Sequence, residues 1–193
     1  MEKCSKCGNE KSRNVIYAAD SISLSKTSYI YSGKTYKPTV TAKDSSGRVL
    51  ENNTDYTAAY PKDMKNVGCY TVTVTLKGSY SGTVKKTFDI VPKGTSISKI
   101  TAKKKGFTVK WKKQASQTTG YEIVYSTNGK FSKKTTKIMD AGKSRATSKT
   151  VSRLKAKKKY YVRIRTYKTV KISGKSVKLY SKWSKVKAVT TKK

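Results

Sequence analysis

The chain has 193 residues and a formal charge of +35, from 45 Lys/Arg against 10 Asp/Glu, and it contains no histidine. The missing histidine removes the commonest general base and most triad and metal chemistry, so catalysis is not expected. No apolar run approaches the ~20 residues that a membrane-spanning helix needs.

The charge is unevenly placed. Residues 1–93 hold 15 basic and 8 acidic side chains, net +7, whereas residues 94–193 hold 30 and 2, net +28. Such a field attracts polyanions of any kind, and it also keeps strand edges soluble and unpaired. Frequent Thr, Val, Ile and Tyr, with three prolines and twelve glycines, favour short strands over helices.

Residues 1–19 are polar and contain Cys4-Ser5-Lys6-Cys7, a knuckle that suits half of a zinc site or a pair of thiols bonded to each other. With no histidine in the chain, a complete zinc site would need ligands from an upstream segment. No apolar signal region opens the chain. An extracellular or wall-associated placement therefore assumes a signal peptide upstream of it.

Residues 20–91 read as strands throughout. Ile22 and Leu24, then Tyr29 and Tyr31, then Pro38 to Ala42 alternate or run apolar, and Asp44-Ser45-Ser46-Gly47 marks a turn. Tyr56 and Tyr60 follow, then the longest alternation of this half, Tyr70, Val72, Val74 and Leu76. Val84, Phe88 and Ile90 close the set. Asn52-Asn53-Thr54 matches a glycosylation acceptor pattern. Short strands at roughly ten-residue spacing predict a β-sandwich. Cys69 falls on one of these strands and reads as a small core residue. The residues Asp55-Tyr56-Thr57, Asn66-Val67-Gly68, Gly78-x-Tyr80-x-Gly82 and Phe88-x-Ile90 resemble bacterial immunoglobulin-like repeats of surface proteins in gut Gram-positive anaerobes. In such repeats these positions are structural.

Residues 92–95, Pro-Lys-Gly-Thr, read as a linker. Residues 96–193 predict a second sandwich. Ile97 and Ile100 lead into Lys103-Lys104-Lys105-Gly106 and the alternating strand Phe107, Val109, Trp111. Tyr121, Ile123 and Tyr125 repeat the pattern, and Asn128-Gly129 predicts a tight hairpin. After Val151 and Leu154 comes the basic turn Lys155-Ala156-Lys157-Lys158-Lys159. The strand that follows is expected to point Tyr160, Val162 and Ile164 inward and Tyr161, Arg163 and Arg165 outward.

This half resembles a fibronectin type III domain, on the strength of Trp111, Tyr121, Leu154 six residues before Tyr160, and Ser181-x-Trp183-Ser184. The resemblance implies that these are structural residues and that the hydroxyl of Tyr160 ties the sheets together. The proline–glycine turn usual after the leucine is replaced by Ala156 and lysines. The fold class expected is therefore all-β, two tandem immunoglobulin-like and fibronectin type III sandwiches, in monomeric modules of a longer chain.

Two surfaces are candidates for binding. The outward face of Tyr161, Arg163, Arg165 and Tyr167 mixes rings and cations in a way that suits sugars, bases, sulfate or phosphate, and it also suits an ordinary supported strand face. The lysine turns Lys103-Lys104-Lys105 and Lys157-Lys158-Lys159 should lie at one end of the sandwich and converge. The partner expected is an anionic cell-wall polymer or glycan, with nonspecific nucleic-acid binding as the alternative. No cofactor is expected beyond the open question of zinc at Cys4 and Cys7.

Overall fold

The computed structural model describes residues 19–193, so Cys4 and Cys7 lie outside the described residues. The described chain is all-β, as its patterning predicts, apart from one 3₁₀ turn at Lys133–Thr135. It divides into two units. One holds the described residues up to Thr27 with Tyr36–Met64 and Tyr70–Phe88; the other holds Ser28–Thr35, Lys65–Cys69 and Asp89–Lys193.

The first half supplies β1 (Ala19–Leu24), β2 (Ser28–Ile30), β3 (Val40–Asp44), β4 (Tyr56–Ala59), β5 (Gly68–Leu76) and β6 (Thr83–Val91). β1 pairs antiparallel with β3, and the remaining four form a sheet in the order β2-β6-β5-β4. The alternation read in β5 holds, with Val72, Val74 and Leu76 buried and the threonines between them turned outward or partly so. Phe88 of β6 is 1% exposed and stacks on Tyr70 at 5.4 Å between centroids. The predicted turn after β3 is closed by Asp44, whose carboxylate accepts from the Ser46 and Arg48 amides, while Tyr80 donates to it at 2.9 Å.

The second half supplies β7 (Ile97–Lys103), β8 (Gly106–Trp111), β9 (Gly120–Ser126), β10 (Thr136–Lys143), β11 (Ser148–Val151), β12 (Lys159–Ile172), β13 (Lys175–Tyr180) and β14 (Lys187–Thr190). One sheet has the order β11-β8-β7. The other runs β10-β9-β12-β13, with β14 also on β12. The inner faces bury Phe107, Val109, Trp111, Tyr121, Ile123, Tyr160, Val162 and Ile164 in one cluster, and Leu154 packs on its edge. The apolar surface so removed from water is the main driving force for the module. The hydroxyl of Tyr160 accepts from the Lys155 amide at 3.3 Å, which ties the basic turn down to the second sheet.

One sequence expectation needs correction here. Asn128-Gly129 does not make a two-residue hairpin, because the first β9–β10 pair is Ser126 with Thr136 and the connection is nine residues long. Asn128 instead accepts from the Lys130 amide through its side chain and from the Phe131 amide through its carbonyl, a local Asx turn that competes with the hairpin geometry. β10 itself has no clean alternation to betray it. It is an edge strand, and Ala141 is its only fully buried side chain.

The last strand is split. β13 pairs with Tyr167–Ile172 and β14 with Lys159–Val162, leaving residues 181–186 opposite the middle of β12. Here Ser181 and Ser184 take over the ladder. Their amides donate to Thr166 and Ile164 carbonyls, and their hydroxyls accept from the Thr166 and Ile164 amides at 3.1 Å each.

Candidate functional site

The alternation of β12 places Arg163 and Arg165 on the same outer face, two residues and one pleat apart. They do not stand free. The Arg163 guanidinium lies 4.2 Å from the Phe131 ring and 4.5 Å from the Trp183 ring, and Arg165 lies 4.2 Å from Trp183 and 3.5 Å from Tyr180. Ring, cation, ring, cation, ring therefore follow one another as Phe131, Arg163, Trp183, Arg165, Tyr180. Each planar guanidinium meets the electron-rich faces of two rings, a geometry lysine cannot reproduce.

Charge in this ladder is only half compensated. Arg165 donates through two nitrogens to one carboxylate oxygen of Glu122, at 2.6 and 2.8 Å, directly across the β9–β12 pair. Among the described residues Arg163 has no such carboxylate partner, and its Nε is buried without a hydrogen bond. Burial, and then the like charge of Arg165, lower the pKa of Arg163.

Tyr167, expected on the open face, is instead 7% exposed. It pairs with Gly120, and a side chain there would stand within 2.7 Å of the Tyr167 hydroxyl, so the missing Cβ is what admits the ring. The hydroxyl donates to Asp140 at 2.7 Å, and the Lys178 ammonium lies 4.2 Å from the ring. Tyr161 is half-buried, with its ring against Gly129 and the Lys159 ammonium at 5.4 Å. The proposed ring-and-cation face is thus largely filled by the protein's own groups. Phe131, Tyr180 and Glu122 were not read as part of it, although Tyr180-x-x-Trp183 opposite Arg163-x-Arg165 carries the signal.

The lysine turns do come together. The Leu154 amide donates to the Lys105 carbonyl, the Lys105 amide to Lys192, and the Lys192 amide to Lys103. Thr191, 3% exposed, is the hub: its hydroxyl donates to the Lys155 carbonyl at 2.6 Å and accepts from the Lys158 amide at 3.0 Å. Around this frame Lys103, Lys104, Lys105, Lys155, Lys157, Lys158, Lys159 and Lys192 are all exposed. Lys105 and Lys157 hold φ of 44° and 50°, in left-handed backbone that costs an L-residue ~1–2 kcal/mol. Residues 94–193 contain only Glu122 and Asp140 as acids, and both are engaged elsewhere.

Cys69 is half-buried, and burial followed by Asp89 pushes its thiol up to about 11, so at neutral pH it is no nucleophile. Among the described residues no three His, Cys, Asp or Glu side chains group so as to hold a metal.

Residues 91–182 match the family model of the fibronectin type III domain. No match is found among curated proteins. Three solved structures are similar to the chain. A segment of titin domains is 17% identical, with 89% of this chain and 66% of that one covered and a TM-score of 0.36. The FN1–FN3 domains of chicken CNTN1 give 15%, 92%, 68% and 0.44. A two fibronectin type III domain segment from chicken tenascin gives 16%, 91%, 99% and 0.45.

Proposed function

We propose that these are non-catalytic spacer and interaction modules of a secreted or surface-attached bacterial protein, and that the lysine-rich end of the second sandwich retains anionic wall polymers or host glycans. The observation that carries this reading is the convergence of the two lysine turns and Lys192 on one hydrogen-bonded frame. Lys105 and Lys157 support it further. Asparagine or glycine would sit more easily at their φ, so lysine there places charge at some conformational cost. The arginines of the ladder, by contrast, serve the sheet.

Affinity on such a surface comes from many weak ion contacts and from released counterions. With about five lysines engaged, binding should fall several-hundred-fold, on the order of 10²–10³, when salt rises from about 50 to 200 mM. The test is a competition among heparin, teichoic acid and duplex DNA for the whole chain at both salt concentrations. Preference for the glycan or wall polymer with a steep salt slope supports the reading. Preference for DNA moves the function to nucleic acid, and affinity indifferent to salt removes the lysine end from it.

A further inference from the structure

We propose a second ligand site in the first unit, a hollow that takes one acidic sugar residue. It does not depend on the lysine-rich end. The hollow measures about 280 Å³, just under the ~300–1,000 Å³ of clefts that take larger organic ligands, which suits a single pyranose ring.

Its floor is apolar and fixed. Pro38, Val40 and Tyr56 are buried, and the Tyr56 hydroxyl donates to the Val40 carbonyl at 3.1 Å. Tyr60 makes the wall, its hydroxyl donating to the Pro38 carbonyl at 2.7 Å. Both hydroxyl protons are thus spent on main chain, so the rings are held in place and the hollow's remaining donors are at its rim. There stand Lys37 and Asn52, both exposed; the Lys37 ammonium lies 4.7 Å from the Tyr60 ring.

This combination selects a chemistry. A pyranose has one face of C–H groups, which an aromatic wall over an apolar floor accepts, and an edge of hydroxyls, which the Asn52 carboxamide can both donate to and accept from. No carboxylate lines the hollow, and Lys37 gives it a single positive charge. A sugar carboxylate there would exchange the ring–cation contact for a stronger charge-assisted hydrogen bond. Neutral sugars lack that exchange, and simple carboxylates lack the ring contact.

The test is a titration of the full chain with glucuronic acid, glucose and acetate, followed in amide correlation spectra at physiological ionic strength. Glucuronate should shift the amides of Lys37, Asn52 and Tyr60 and saturate in the millimolar range, with glucose at least about tenfold weaker and acetate without saturable effect. Lys37→Gln should bring glucuronate to the level of glucose, and Tyr60→Ala should abolish both. Because Tyr60→Ala removes a hydroxyl bonded to main chain, the exposed Asn52→Ala serves as a second variant and should weaken both sugars. Absence of a saturable shift at these residues overturns the proposal. So does an equal response to acetate, or a glucuronate affinity that Lys37→Gln leaves unchanged.

Discussion

Trp183→Ala is the sharpest perturbation of the ladder, because the indole is shared by both arginines. Each ring–guanidinium contact of this kind is worth about 0.5–1 kcal/mol when exposed and ~2 when desolvated. Arg165 is 22% exposed in its side chain, so about 1 kcal/mol for each of the two contacts is reasonable. Loss of the half-buried indole itself adds about 1 kcal/mol, well under the 3–5 of a fully buried aromatic. The total expected is about 3 kcal/mol, a large share of a domain's ~5–15. Since the chain has two tryptophans, the variant retains only Trp111, which lies in the core of the same sandwich. Urea unfolding followed by its fluorescence therefore reports that sandwich alone. The decisive step is a double-mutant cycle with Arg163→Met, in which the coupling between Trp183 and Arg163 should be about 1 kcal/mol. A coupling within about 0.3 kcal/mol of zero would show that the stack contributes nothing. The strand-face arginines would then be available for a ligand after all.

Three further outcomes follow from the same sandwich. Gly120→Ala would set a Cβ 2.6 Å from the Gly142 carbonyl and 2.7 Å from the Tyr167 hydroxyl, and should lower stability by about 1–3 kcal/mol in urea, where a neutral result would mean that the Tyr167 ring is not seated there. Burial, and then Asp140, push the Tyr167 hydroxyl up to about 12 from 10, so its neutral form is favoured by folding. The stability this group contributes is intact below pH 10 and is lost as pH rises to about 12, at most about 2–3 kcal/mol, and the gap between wild type and Tyr167→Phe should close over that window in alkaline unfolding. Tyr160→Phe removes the acceptor of the Lys155 amide and should cost about 1 kcal/mol, measured as a lowered urea midpoint at unchanged slope.

The inward half of every well-alternating strand was legible from residue order alone. Phe107, Val109 and Trp111, or Tyr160, Val162 and Ile164, show a period of two that only a half-buried strand explains. The edge strand β10 and the split between β13 and β14 were not, because edge positions carry no burial pattern and a hydroxyl that replaces a ladder bond looks like any surface serine. The outer face of β12 was misjudged for a related reason. Alternation tells which side of the sheet Arg163 and Tyr167 occupy, but not that Phe131, Trp183 and Tyr180 return from distant loops and strands to cover that side. The meeting of the lysine turns was foreseeable, since it needs only the order of strands. Its anchoring by the single Thr191 hydroxyl was not.

We propose a division of labour in which end lysines bind and strand arginines build. It is tested by the heparin affinity of three variants of the whole chain at one salt concentration. Replacing Lys103, Lys104, Lys158 and Lys159 with glutamine should weaken binding by about 30-fold or more, whereas the same change at Lys137, Lys149, Lys171 and Lys175 removes equal charge and should cost about threefold or less. Arg163→Met should lower stability and leave affinity nearly unchanged. Equal losses in the two lysine variants would mean that the charge is a uniform coat with no binding end, and a large loss in Arg163→Met would return the site to the strand face.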